Sequence, residues 1–85
     1  MKQMIYSIYD SKVKVYANPF YMRNGAEALR AWSNTINDEQ TQFAKHPGDY
    51  TLFELGEYDD ETGRVQMHDS FTNLGNGLQF KKESQ

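Results

Sequence analysis

Hydrophobic positions alternate with a period of two near both ends of the chain and adopt a helical period only in between. Met4, Tyr6 and Ile8 fall on one side of a strand spanning Met4 to Tyr9, and Ile5, Ser7 and Tyr9 fall on the other. Apolar residues on both sides place this strand centrally. Asp10-Ser11 is a turn signal, after which Val13 and Val15 alternate with Lys12, Lys14 and Tyr16, a second strand with one wet face. Asn18-Pro19 interrupts it. Phe20-Tyr21-Met22 then continues as an extended edge, where proline is tolerated because no ladder donor is missed.

The period changes at Asn24. Ala26, Leu29, Trp32, Ser33 and Ile36 recur at helical spacing, with Glu27, Arg30 and Asn34 opposite them, so a helix is predicted from Asn24 to Asn37. Asn24 can cap it, and Glu27 three residues on resembles a capping box. Asn37-Asp38 breaks the pattern and caps a shorter helical turn, Glu39 to Lys45, anchored by Phe43. Pro47 and Gly48 end that helical half, because proline lacks an N–H and biases His46 away from helical angles.

Tyr50 to Tyr58 is rich in aromatic residues and reads as a strand, Asp59 to Gly63 as an acidic turn, and Val65 and Met67 resume alternation beyond it. This is a hairpin. After Asp69 the pattern fades: Gly75-Asn76-Gly77 is a flexible turn, Leu78 and Phe80 form a short strand or pin the tail, and Lys81 to Gln85 are expected to fray. The order strand, strand, helix, short helix, strand, strand predicts an α+β fold. It is a small, mostly antiparallel sheet of about four strands, with one main helix and a short second helix on one face. Residues 1–85 form a single domain, and strand order stays open.

Size changes the picture in one respect. A chain of 85 residues has a core near the lower limit for independent folding, so a homo-oligomer is expected, with the edge at Tyr16 to Met22 as the contact. The chain has no cysteine, which excludes disulfides and thiolate metal sites and fits a reducing cytoplasm. Its first residues do not read as a signal peptide, and no stretch approaches a membrane span. Net charge is −3, but unevenly spread: +3 over residues 1–36, −7 over 37–70 and +1 over 71–85. The mildly basic N-terminal part lacks the strong footprint of a non-specific nucleic-acid binder.

Catalytic and metal chemistry find little support. His46 and His68 lie far apart, and His46 before Pro47 suits a helix C-terminus better than a metal site. Asp59-Asp60-Glu61 lacks the spaced ligands of a calcium loop and has no nucleophile or histidine beside it; a solvated turn explains it. Gly75-Asn76-Gly77 lacks the remainder of a phosphate loop. No enzyme, no cofactor and no metal is expected.

Aromatic residues make up 14% of the chain, and most of them must build the core of so small a domain. Between Lys12 and Arg23, however, Tyr16, Phe20 and Tyr21 interleave with Lys12, Lys14 and Arg23. Rings for base stacking and cations along a backbone path are the ingredients of a single-stranded nucleic-acid site. The candidate binding set is therefore Lys12, Lys14, Arg23 and Arg30 for phosphates, with Tyr16, Phe20 and Tyr21 for bases. On an edge strand the same residues suit self-association equally well.

Tyr6-Ser7-Ile8-Tyr9-Asp10-Ser11-Lys12, Pro19-Phe20, Ala26-Glu27-Ala28-Leu29-Arg30 and, above all, His46-Pro47-Gly48-Asp49-Tyr50 running on to Gly63 carry a resemblance. In this order and spacing they resemble the small nonstructural protein of gokushovirus-type microviruses, single-stranded DNA bacteriophages. The resemblance spans about residues 4–80. It implies a non-virion protein of the host bacterial cytoplasm, acting in viral genome replication or in the switch to single-stranded DNA synthesis and packaging. Its implied partners are single-stranded DNA, the phage replication initiator, or both, and it supplies no catalytic residues. The rival expectation is a protein-interaction adaptor whose acidic hairpin docks the initiator or an assembly protein without touching DNA.

Overall fold

The computed structural model describes residues 1–82. Lys81 and Lys82, expected to fray, are tied down, and the rest of the expected frayed tail, 83–85, lies outside the described residues. Five strands form one antiparallel sheet: β1 (Lys2–Asp10), β2 (Val15–Tyr16), β3 (Phe20–Met22), β4 (Tyr50–Asp59) and β5 (Arg64–Asn76). β1 and β4 are central, as the double-sided apolar pattern of β1 requires. β2 and β3 both pair with β1 and share one edge, and β5 is the other edge. Between β2 and β3 the chain leaves the ladder at Asn18-Pro19. Ala17 still donates its N–H to the Ile8 carbonyl, and Ser7 Oγ donates to the Ala17 carbonyl at 2.7 Å.

Helix α1 (Gly25–Ile36) begins where the capping pattern places it: the Asn24 side chain accepts from the Glu27 N–H at 3.0 Å. Its buried residues are Ala28, Trp32 and Ile36, with Leu29 packed beside them; Leu29, Trp32 and Ile36 fall where the spacing placed them, whereas Ala28 joins the core and Ala26 is exposed. The i, i+4, i+8 row won because Tyr6 and Leu52 of the sheet meet it directly in the core. Helix α2 is shorter than expected, Gln42–Lys45, because Thr41 rather than Asp38 caps it, accepting from the Ala44 N–H. A 3-10 turn, Pro47–Asp49, then delivers the chain into β4.

Both helices cover one face of the sheet. The core there joins Tyr6, Ala28, Trp32, Ile36, Tyr50 and Leu52, with Met4, Ile8, Phe20, Met22, Phe43 and Leu74 packed around them. The segment beyond Asp69 proves to be strand as far as Asn76, followed by a 3-10 turn, Gly77–Gln79. Gly75-Asn76-Gly77 is therefore a packed corner, not a flexible turn. Trp32 Nε1 donates to the Gly75 carbonyl at 3.3 Å, and a Cβ on Gly77 would lie 2.4 Å from the Pro47 carbonyl oxygen. Asn37 draws the tail in, donating from Nδ2 to the Phe80 carbonyl and accepting from the Lys82 N–H at 2.8 Å.

Candidate functional site: the open face of the sheet

Opposed residues in an antiparallel ladder point to the same side, so the register sorts every paired side chain by face. The helix-covered rows are Lys2/Asp59/Arg64, Met4/Met22/Glu57/Gln66, Tyr6/Phe20/Glu54/Thr72, Ile8/Leu52/Gly75 and Asp10/Val15/Tyr50. The open rows are Gln3/Tyr58/Val65, Ile5/Tyr21/Gly56/Met67, Ser7/Phe53/Asn73 and Tyr9/Tyr16/Thr51/Asn76. Every charged residue with a ladder partner lies on the helix-covered side. The open rows carry none.

What fills the open face is aromatic. Tyr16 lies 4.7 Å from Tyr9, 6.1 Å from Phe53 and 5.9 Å from Phe71, centroid to centroid, in tilted or edge-on contacts. Tyr16 and Phe71 belong to opposite edges of the sheet, whose backbones in a flat four-strand layer would stand about 14 Å apart. Their contact requires the sheet to curl toward its open side. The ladder slips, where His68 to Phe71 stand against Leu55 alone and where Leu74 has no partner, supply that curl, because extra residues in one strand bend it and raise its twist. A second pair, Tyr21 and Tyr58, lies at 6.0 Å toward the far end of the same face. Tyr21 is 50% exposed, Tyr16 45% and Phe71 40%, so the rings offer area to a partner instead of being sealed as a core.

The seven residues expected to form a nucleic-acid site are divided by this geometry. Tyr16 and Tyr21 stand on the open face. Lys12 and Lys14 lie in the exposed turn joining β1 to β2, at the Tyr9–Tyr16 end of that face, with Lys14 at φ 61° and its N–H bonded to the Asp10 carbonyl. Phe20 faces the other way: opposite Tyr6 in the ladder, its ring packs 5.8 Å from the Tyr6 ring under the helices. Arg23 is engaged by Glu27 at 2.7 Å, and Arg30 is exposed on α1, in the layer on the far side of the sheet. Tyr9, Phe53, Tyr58 and Phe71 were missed. They are far apart in sequence, and only the ladder register gathers them, although the odd-numbered alternation Ile5-Ser7-Tyr9 was a usable signal.

The helix-covered side holds the titratable chemistry. Tyr6 is wholly buried and its hydroxyl makes no well-formed hydrogen bond among the described residues; burial, then the charge of the facing Glu54 and a weak hydrogen bond to it, pushes its phenol well above the usual range. Burial also raises the Tyr50 phenol, with Asp10 and Asp49 adding to it. Glu54 Oε2 lies 3.0 Å from His68 Nε2 across the irregular stretch of the β4–β5 ladder. At the hairpin tip Asp60 binds the α-ammonium of Met1 and holds its pKa up. Among the described residues no group of three or more histidine or carboxylate side chains is placed to hold a metal ion, and no helix is long and apolar enough to cross a membrane.

Neither the curated proteins nor the solved structures yield a match to this chain. A family model does: that of the Phage ORF5 protein matches residues 3–80, from the second residue of the central strand to the phenylalanine whose carbonyl accepts from Asn37. The match covers all five strands and both helices, and by it the chain belongs to the Phage ORF5 protein family.

Proposed function

We propose that this phage protein is a non-enzymatic binder of single-stranded DNA, holding the strand across the open face of its sheet. It would act in viral genome replication or in the switch to single-stranded synthesis and packaging, as the resemblance to microvirus nonstructural proteins implies. The observation that supports the reading is the aromatic surface formed by Tyr9, Tyr16, Phe53 and Phe71, continued by Tyr21 and Tyr58, on a face whose laddered rows carry no charge, with Lys12 and Lys14 at one end. Each stacked base is worth about 1–3 kcal/mol without demanding a sequence. Among the described residues Lys12 and Lys14 are the two cations placed at the face, so stacking carries most of the affinity.

That composition makes the test quantitative. Two phosphate contacts on a single strand give a slope of log K against log salt of about −1.4. Fluorescence anisotropy with labelled oligonucleotides, titrated across salt, should therefore show binding that weakens only gently. No binding of single-stranded DNA at low salt overturns the proposal. A second reading has its own observation: Asp59, Asp60 and Glu61 crowd at the tip of the β4–β5 hairpin. An acidic tip of this kind suits a basic protein surface, such as that of a replication initiator. A pull-down that fails after charge reversal at Asp59, Asp60 and Glu61, with DNA binding intact, would favour that adaptor role.

A further inference from the structure

Rings accept any base, so selectivity on the open face falls to the polar side chains that stand among them. Three of these are spent inside the fold: Ser7, Thr51 and Asn76. Ser7 Oγ donates to the Ala17 carbonyl at 2.7 Å. Asn76 Nδ2 donates to the Gly48 carbonyl at 3.0 Å and to Thr51 Oγ1 at 3.1 Å, while its Oδ1 accepts from the Leu78 N–H. Gln3 and Asn73 are left over. Asn73 is exposed and Gln3 half-buried, and the amide of neither has a hydrogen-bond partner among the described residues. Each stands directly opposite a ring in the ladder, Gln3 against Tyr58 and Asn73 against Phe53. Side chains so opposed have Cβ atoms about 4.5–5.5 Å apart. One uncommitted amide therefore lies at the rim of each aromatic platform, the Tyr21–Tyr58 pair and the Tyr9–Tyr16–Phe53 group.

We infer that Gln3 and Asn73 read base edges, so that the face selects single strands rich in adenine. This deepens the single-stranded DNA reading above and rests on it, since stacking alone makes no such choice. An amide carries a donor beside an acceptor, and it pairs with an edge that shows the complementary two. Adenine shows them on both edges away from its sugar, N6 with N7 and N6 with N1. Guanine, cytosine and thymine show them on one such edge. The N6 and N7 edge is the one that Asn and Gln bind bidentately in duplexes. A base lying flat on a ring can turn either edge to an amide at the rim.

The rows of the two amides are those of Gln3 and Ser7 on β1, which stand about 13 Å apart along the strand. No single base reaches both. Each amide therefore reads a base of its own, and their effects on affinity multiply. The laddered rows of this face carry no ionised side chain, so no carboxylate or ammonium displaces the amides from the base edges.

Edge reading and stacking separate in one experiment. Labelled homopolymer strands of equal length are made from deoxyadenosine, from thymidine, and from a deoxyadenosine analogue that lacks the 6-amino group. The analogue keeps the purine ring for stacking but has no donor for an amide carbonyl. In fluorescence anisotropy with the unmodified chain, the adenine strand should bind most tightly. The analogue should bind more weakly by about five-fold or more, the lower end of what bidentate reading supplies. Gln3→Met and Asn73→Leu remove one amide each at similar size. Each should weaken the adenine strand by about five-fold, leave the analogue strand where it was, and keep the circular dichroism spectrum unchanged. Equal affinity for the adenine and analogue strands, or variants that weaken both alike, overturns the inference and leaves the DNA reading standing. Failure to bind any of the strands removes the DNA reading, and base selection with it.

Discussion

Replacing Tyr6 by phenylalanine should stabilise this protein, although Tyr6 is among the most buried residues of its core. The hydroxyl sits in the interior with no well-formed hydrogen bond among the described residues, its only polar neighbour of note being Glu54, directly opposite in the ladder and at best a weak acceptor. A buried polar group left unpaired costs about 1–3 kcal/mol of desolvation. The oxygen returns only a few tenths of a kcal/mol in dispersion contacts. The net gain from Tyr6→Phe is thus about 1 kcal/mol, or a rise in Tm of about 4–8 °C for a domain of this size.

The same variant has a signature in pH. The unfolded phenol ionises above about pH 10, whereas the folded one, held up by burial and Glu54, stays protonated. Above that pH the folded state binds the extra proton, so stability is full below pH 10 and falls as pH rises, by up to about 1.4 kcal/mol per unit for each such group. Tyr50 acts in the same direction. Tyr6→Phe removes one of the two contributions, so its stability should fall less steeply above pH 10. Urea denaturation followed by Trp32 fluorescence, at neutral pH and at two alkaline values, measures both effects. A loss of more than about 1 kcal/mol at neutral pH would show that the hydroxyl is partnered and refute the reasoning. An unchanged alkaline slope would do the same for the linkage.

Two further outcomes follow from the packing. Gly77→Ala should destabilise by about 1–3 kcal/mol, because the new methyl would lie 2.6 Å from Ile36 Cδ1 and closer still to the Pro47 carbonyl; thermal denaturation checks it. The neighbours Phe20 and Tyr21 should separate cleanly. Phe20→Ala should cost about 2 kcal/mol of stability, since the ring packs on Tyr6, and leave DNA affinity alone. Tyr21→Ala should lower affinity for single-stranded DNA by about 1–3 kcal/mol with little change in Tm, read by anisotropy and calorimetry together.

Much of the local structure was legible because it rests on interactions within a few residues. The Asn24 cap, the stop at Pro47 and the acidic turn, where Gly63 takes φ 73°, were all readable in the chain before any packing. The candidate site was legible only in part. Lys12, Lys14, Tyr16 and Tyr21 kept their place, but adjacency in sequence put Phe20 beside Tyr21, and the strand turns them to opposite faces. Arg23 looked free until the helix brought Glu27 one turn on.

By itself, then, the sequence determined where the main helix and the central strands lie, where the chain turns, and that the central strand must be apolar on both sides. Propensity, capping and turn chemistry act over three or four residues, and the chain states them openly. Only the tertiary structure decided which face the helices cover, because Ile5-Ser7-Tyr9 and Met4-Tyr6-Ile8 are nearly equal in hydrophobicity. That choice depends on Trp32 and Ile36 meeting Tyr6 and Leu52 across the core. It sent every ladder charge to the helix side, left β5 as the long open edge, and drew Tyr9, Tyr16, Phe53 and Phe71 together over a curled face. The longest of those contacts, Tyr16 to Phe71, spans 55 residues of chain, and no local rule reaches that far.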